Sequence, residues 1–357
     1  MISGTTRVAD LLRQAATRLA EAGVPSPRTD AELLVAHAAR ASRADVQRAA
    51  LLGRTLDALV GGAGAPGANA IGDDVAGAGE RVVDAGSDGL GPLVEDVLAR
   101  RAAREPLQHI TGLAPFRRTE LAVGPGVFVP RPETEAVAEV ALEEARAVVR
   151  RSGSALVVDL CTGSGAIALA IADEVPGAQV HAVELDADAY AWARRNVEAA
   201  AVLPRAGGAV RLVRGDARTA LAELDGRCDV VVSNPPYVPS DAVPRDPEVA
   251  HHDPEVALYG LGPDGLEVPR GVAAAAARLL APGGLFVMEH AEVQAEDARR
   301  LLEACGFADV RTVADLTGRD RMAVGRCGGG VSGDPRGGPA GSRRAVSRPG
   351  AVGDCGA

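Results

Sequence analysis

An open, doubly wound α/β sheet preceded by a small helical domain is the fold this sequence predicts. Three observations carry it. From Ala155 onward, short apolar runs of strand length alternate with amphipathic segments of helix length, as in parallel strands joined by helical crossovers. Near the start, Val8, Leu11, Leu12, Ala15 and Leu19 recur at helical spacing. The apolar fraction of 47% is mostly Ala, Val and Leu, with aromatics at 2%, which suits a core of small aliphatics beneath many helices.

Taken in order, residues 6–60 read as short amphipathic helices. Pro25-Ser26-Pro27 separates the first from a second that carries Leu33, Leu34 and His37, the histidine being expected in a core or interface. Residues 61–91 are rich in Gly, Ala and Asp with little to bury, and read as a flexible insertion. A helix over about 93–104 completes a helical domain spanning 1–104. Residues 105–135 form a linker, in which alternation over 116–123 suggests a hairpin. Thr134, or the acidic residue beside it, is expected to cap a helix running to Val149. In the domain spanning 136–326, strands are expected at 155–160, 179–184, 210–214, 228–233, 284–289 and near 322–325. Helices are expected at about 166–174, 188–200, 217–223, 266–280 and 294–305. The tail 327–357 is rich in Gly, Pro, Ser and Arg without periodicity, and is expected to be disordered.

Composition narrows the function classes. The five cysteines are scattered without paired ligand spacing, which argues for a reducing compartment and against a disulfide scaffold or structural zinc. The first thirteen residues lack a basic stretch followed by an apolar one, and no apolar run reaches membrane-spanning length. A cytoplasmic monomer that needs no metal is expected, with His251-His252 read as an exposed pair. A net charge of −10 leaves no basic face for gripping phosphates, so a protein or small molecule is favoured over nucleic acid as partner.

The chemistry concentrates at the ends of the expected strands. Asn234-Pro235-Pro236-Tyr237 follows the apolar run Val230-Val231-Val232, where open α/β sheets hold their ligands. An Asn side chain offers one acceptor and one donor, two prolines stiffen the loop, and a Tyr ring supplies a flat wall. Such a pocket suits a planar NH2 group, with Asn234 Oδ1 and the Pro235 carbonyl accepting its two hydrogens. Upstream, Asp159-Leu160-Cys161-Thr162-Gly163-Ser164-Gly165-Ala166 reads as a strand end, a glycine turn and a helix start. Alone it also satisfies a loose dinucleotide pattern, leaving a nicotinamide cofactor open. Glu184 and Asp216 close the next two strands, placed to meet ribose hydroxyls and an adenine edge. Four successive strand ends thus surround one adenosyl ligand, with a transferable group facing Asn234.

The segments EPLQHITG (105–112), FVPRPETE (128–135), DLCTGSGAIAL (159–169), NPPYV (234–238), HDPEVALYGLGPDGL (252–266) and DLTGRDRMAV (315–324) resemble the release factor glutamine N5-methyltransferases. These are a branch of the Rossmann-like class I S-adenosyl-L-methionine-dependent methyltransferases. The resemblance covers about residues 6–326. It implies methyl transfer to the side-chain amide of the glutamine in the GGQ loop of peptide chain release factors. It also implies that the N-terminal helical domain engages that partner. Asp159 and the turn Cys161, Thr162, Gly163, Ser164, Gly165 would line the methionine and ribose part of the cofactor. Glu184 would bind ribose, and Asp216 and Ala217 would flank adenine. Asn234, Pro235, Pro236 and Tyr237 would hold the glutamine, with Phe128, Arg131 and Glu133 closing over it. Two positions depart from the family's pattern: Cys161 stands where the turn usually has glycine and is expected to keep a negative φ, and Glu184 stands for the commoner Asp. Three rivals remain: a glutamine methyltransferase acting on a ribosomal protein, an adenine-N6 nucleic-acid methyltransferase, and a silent nucleotide-binding adaptor.

Overall fold

The computed structural model describes residues 2–59, 87–201 and 209–328. Helices α1 (Val8–Glu21), α2 (Pro27–Ala38), α3 (Arg43–Leu51), α4 (Ser87–Ala102) and α5 (Leu107–Thr111) come first. The five apolar residues at helical spacing in α1 are all buried. Pro27 starts α2 at a position that needs no N–H, and a reciprocal Ser42–Asp45 capping box starts α3. Leu34, Val46, Leu56, Val94 and Leu98 join the α1 residues in one core. His37 is exposed near the end of α2 and so lies outside the core, the first of the two positions expected for it. Most of the expected 61–91 insertion lies outside the described residues, but 87–91 belong to α4, which starts earlier than the sequence suggested.

The hairpin β1 (Leu113–Phe116) and β2 (Thr119–Ala122) leads to α6 (Thr134–Ser152). The N-cap of α6 is Glu133 and no side chain caps it. Thr134 lies inside the helix, its hydroxyl accepting instead from Asn234. There follow β3 (Ala155–Leu160), α7 (Ala166–Glu174), β4 (Ala178–Glu184), α8 (Ala187–Ala201), β5 (Val210–Arg214) and β6 (Cys228–Ser233). Then come α9 (Pro247–His252), α10 (Glu255–Leu258), α11 (Glu267–Leu279), β7 (Leu280–Glu289), α12 (Ala295–Ala304), β8 (Phe307–Ala314) and β9 (Asp320–Cys327).

Seven strands form one sheet in the order β5-β4-β3-β6-β7-β9-β8, with β3 to β7 parallel and β9 antiparallel to both β7 and β8. Helices cover both faces, and the strand pleat sorts side chains between them. Val157, Val230, Val232 and Val287 pack with α6 and α7; Val158, Val231, Phe286 and Met288 pack with α11 and α12. Each fully buried aliphatic side chain contributes about 2 kcal/mol of transfer free energy.

The helix expected at 217–223 is absent: only a short 3-10 turn, Ala222–Leu224, forms. The Asp216 carboxylate accepts the Arg218 N–H and Leu221 takes a left-handed φ of 59°, both incompatible with a continuing helix. Strand β8 has no counterpart in the expected list because only its first residue is fully buried and the rest lack clean alternation. Strand β9 runs through Cys327, the first residue of the expected tail; residues 329–357 lie outside those described. Among the described residues, no helix is long and apolar enough to cross a membrane.

Candidate active site

After β3 the chain returns for β6 on the other side of it from β4, so the crevice above their carboxyl ends is the topological switch point. A cavity of about 820 Å³ opens there. Cys161–Ser164, Glu184, Asp216 and Ala217 line one side, Asn234, Pro236 and Tyr237 the other, and Phe128, Arg131 and Thr134 the approach. Asp159, Gly165, Glu133 and Pro235 are not among the lining residues.

The turn after β3 takes three left-handed residues, Cys161 at φ 62°, Gly163 at 57° and Gly165 at 87°. The negative φ expected for Cys161 is therefore not found, and a non-glycine residue in this region carries strain of about 1 kcal/mol. A Cβ on Gly163 would meet nothing within 4 Å, so its bare backbone faces open cavity. Beneath the turn, Asp159 is completely buried and accepts from Thr162 Oγ1 at 2.6 Å and the Ala168 N–H at 3.1 Å. Burial pushes this carboxyl up to about 7. Asn196 of α8 braces the same turn, donating to the carbonyls of Ser164 (2.9 Å) and Ala122 (3.0 Å).

Glu184 sits at the end of β4 with both oxygens held by backbone, Gly163 N–H at 2.8 Å and Asp186 N–H at 2.9 Å. Each carboxylate oxygen keeps a second lone pair for a ligand hydroxyl. Burial raises its proton affinity against the opposing pull of these N–H donors. Asp216 lines the cavity too, but its carboxylate is bracketed by Arg218, whose Nε and Nη2 donate at 2.6–3.0 Å and hold it below the usual carboxylate range.

Opposite, the Asn234 Nδ2 donates to Thr134 Oγ1 at 3.2 Å. Ser233 Oγ, one residue earlier, donates to the Leu160 carbonyl at 2.6 Å and ties the ends of β6 and β3 together. The Tyr237 hydroxyl donates to Glu289 Oε1 at 3.2 Å, and burial beside that carboxyl pushes the phenol well above its ordinary range. Gln294 Nε2 donates to the carbonyls of Tyr237 (2.8 Å) and Asp264 (2.9 Å), and Val238 exchanges backbone bonds with Leu258 and Gly260. The loop over 258–265 presses on this backbone so closely that a Cβ on Gly260 would fall 2.7 Å from the Pro236 carbonyl oxygen, and one on Gly265 2.3 Å from that of Tyr237. That approach requires glycine at both positions.

The far wall is pinned from two directions. Arg131 lies over the Phe128 ring at 4.8 Å and donates to Asp253 Oδ2 at 2.5 Å. At the other end of α9, the buried Arg101 of α4 donates to Glu248 Oε1 (2.7 Å) and Asp30 (2.8 Å), and Arg104 also donates to Glu248. Val249, next to Glu248, lines the cavity. No group of His, Cys, Asp and Glu suited to a metal ion is present among the described residues.

Several contributors escaped the sequence reading: Thr134 as a partner of Asn234, Glu289, Gln294, Asn196, and the paired glycines Gly260 and Gly265. Glu289 alone left a signal, an acid closing an apolar strand just as Glu184 does.

The family model described as "Methyltransferase small domain" matches residues 130–252, and that described as "PrmC N-terminal domain" matches residues 10–52. The chain is 43% identical over 319 residues to the release factor glutamine methyltransferase of Bifidobacterium longum, covering 88% of this chain and 97% of that one. It is 46% identical over 315 residues to the protein of the same description from Streptomyces coelicolor, covering 88% and 95%. A shorter match, 44% over 208 residues, covers 58% of this chain and 68% of a 4-amino-L-phenylalanine/4-methylamino-L-phenylalanine methyltransferase of Streptomyces pristinaespiralis.

Proposed function

The chain belongs to the release factor glutamine methyltransferase family, and from that premise we infer that it methylates the side-chain amide nitrogen of the glutamine in the GGQ motif of peptide chain release factors. The methyl donor is S-adenosyl-L-methionine, and the fold is the Rossmann-like class I methyltransferase sheet. The donor set suits this cofactor. Gly163 leaves an open cradle where any side chain would intrude, and Glu184, bonded to the turn through the Gly163 N–H, keeps a further lone pair on each oxygen for a ligand hydroxyl. When bound, the cofactor supplies an electrophilic methyl carbon on a sulfonium that departs as a neutral thioether.

The chain's residues divide the remaining work. Cys161 to Ser164 cradle the methionine portion, Glu184 accepts from the ribose hydroxyls, and Asp216 and Ala217 flank the adenine. Asp159 and Gly165 act from beneath, holding the turn in shape. An amide nitrogen is a poor nucleophile because its lone pair is delocalised into the carbonyl. Asn234 Oδ1 would accept one of its N–H hydrogens, orient the nitrogen toward the methyl group and favour a localised lone pair, and the Pro235 carbonyl, at a residue that does not line the cavity, would have to turn toward it to accept the other. The methylated nitrogen then loses a proton that has become strongly acidic, so no dedicated base is needed. Pro236, Tyr237 and Phe128 exclude water around the glutamine, with Arg131 holding the wall they share. The helical unit docks the protein substrate, and the enzyme works as a cytoplasmic monomer without a nucleic-acid grip, in keeping with its net charge of −10.

The observation that carries the reading is Asn234, its NH2 engaged by Thr134, facing one cavity with the glycine turn and Glu184. The test is transfer of a labelled methyl group to a release factor, to its GGQ-to-GGA variant, to ribosomal protein and to duplex DNA, with mass mapping of the product. Label on the release factor that vanishes in the variant is expected. Label confined to ribosomal protein or DNA would keep the chemistry and overturn the substrate.

A further inference from the structure

We propose that Asn196 is a positioning residue for methyl transfer: its carboxamide locks the donor-binding turn at Ser164 to the strand end from which the acceptor-approach segment begins, so that one side chain sets the placement of both substrates. The inference rests on the reading of this cavity as the place where S-adenosyl-L-methionine meets the glutamine amide.

Asn196 lies on α8 and is 3% exposed. Its Oδ1 accepts the Ala122 N–H at 2.8 Å. Its Nδ2 donates to the Ala122 carbonyl at 3.0 Å and to the Ser164 carbonyl at 2.9 Å. An amide nitrogen carries two hydrogens, and both are engaged by backbone. Ala122 ends β2, and the next N–H, that of Val123, turns inward to the Gly112 carbonyl. The N–H and carbonyl of Ala122 therefore face outward, toward α8. The carboxamide pairs with them as a neighbouring strand would, and its remaining hydrogen reaches across to the turn after β3. Ala122 is 74 residues from Asn196 and Ser164 is 32, so the link joins three separate elements.

What lies on each side gives the link its role. Ser164 belongs to the turn that lines the donor side of the cavity. From Ala122 the chain runs into Phe128, Pro130, Arg131 and Thr134, which line the approach. The residues between are held by the same face of α8, at steps of four positions. Trp192 Nε1 donates to the Pro125 carbonyl at 3.1 Å, and a Cβ on Gly124 would fall 2.6 Å from the Trp192 ring. Gly126, at a φ of 89°, comes so near that a Cβ there would stand 2.9 Å from the Asp188 Cβ. Asp188, Trp192 and Asn196 thus form a rail under residues 122–126, and Asn196 extends that rail to the turn.

The test measures cofactor affinity by calorimetry and steady-state kinetics on the full chain, with a GGQ-containing release factor as substrate. Asn196→Asp keeps an acceptor for the Ala122 N–H but sets a carboxylate against the two carbonyls. The cofactor Kd and the KM for the release factor should each rise about tenfold. Trp192→Phe loses the bond to Pro125 and keeps the ring contact. It should raise that KM about threefold and leave the cofactor Kd unchanged. A calorimetric stoichiometry of one cofactor per chain shows that a variant is folded. An Asn196→Asp enzyme that shifts only one of the two constants, or neither, would overturn the proposal. So would a Trp192→Phe enzyme whose Kd rises as much as its KM. If Asn196→Asp fails to fold, hydrogen exchange on the wild type decides. Saturating S-adenosyl-L-methionine should slow exchange over 120–127 and leave α1 unchanged; equal slowing in both, or none over 120–127, overturns the link. A wild type that leaves the glutamine unlabelled removes the substrate reading, and the exchange result then judges the link by itself.

Discussion

On the β3 side of the cavity the polar contacts of the two carboxylates are short-range and mostly to backbone, with Asn196 the long-range brace; on the β6 side they join side chains from distant parts of the chain. Glu184 takes N–H groups 21 residues before and two residues after it, and Asp159 binds partners three and nine residues away. Asn234 meets Thr134 across 100 residues, Tyr237 meets Glu289 across 52, and Arg131 meets Asp253 across 122. A cradle of backbone amides serves any protein that binds the same donor. A wall of side chains from several elements can be retuned for each acceptor, and that is where specificity resides.

The largest expected effect falls on the side-chain wall. Asn234→Ala should lower kcat by about 10²- to 10³-fold while calorimetry shows the affinity for S-adenosyl-L-methionine little changed. A loss of cofactor affinity in proportion to the loss of rate would break the division between the two sides.

Glu184→Ala probes the opposite wall with a smaller expected effect. It removes a buried charged acceptor, so the cofactor Kd should rise about 10- to 100-fold, with less effect on kcat at saturating cofactor than Asn234→Ala has. A variant with unchanged Kd would take the ribose away from Glu184.

The smallest effect sharpens the comparison at the turn itself. Cys161→Gly should raise stability by up to about 1 kcal/mol in denaturant unfolding, because glycine accepts the left-handed φ of 62° without strain. Unchanged or lower stability would mean that the thiol's packing against the buried core it borders outweighs the backbone term.

The same contrast sets what could be read from the sequence. Strands 155–160 and 228–233 stood out because buried parallel strands are nearly continuous apolar runs, whereas the edge strand 210–214 stood out only by its place in the strand–helix alternation. The glycine turn, Glu184 and Asn234 stood out because each follows such a run directly. Thr134 looked like a helix cap because its partner, Asn234, lies 100 residues away in the loop after β6, and nothing local links Glu289 to Tyr237. The 217–223 segment has the composition of a helix, and the capture of Arg218 by Asp216 together with the left-handed φ of Leu221 prevents one. Cys161 misled for a related reason: backbone strain at one residue is set by what surrounds it, and a sequence does not display that.

The bond between Arg101 and Glu248 also bears on how the molecule is made. The two residues are 147 positions apart, and both side chains are buried. At roughly 5–20 residues per second of synthesis, about seven to thirty seconds separate the emergence of α4 from that of its partner. Through that interval the nascent helical unit holds a guanidinium whose second carboxylate has not yet been translated. The chamber's far wall therefore closes late, and a chain halted before α9 has no means of presenting a finished site.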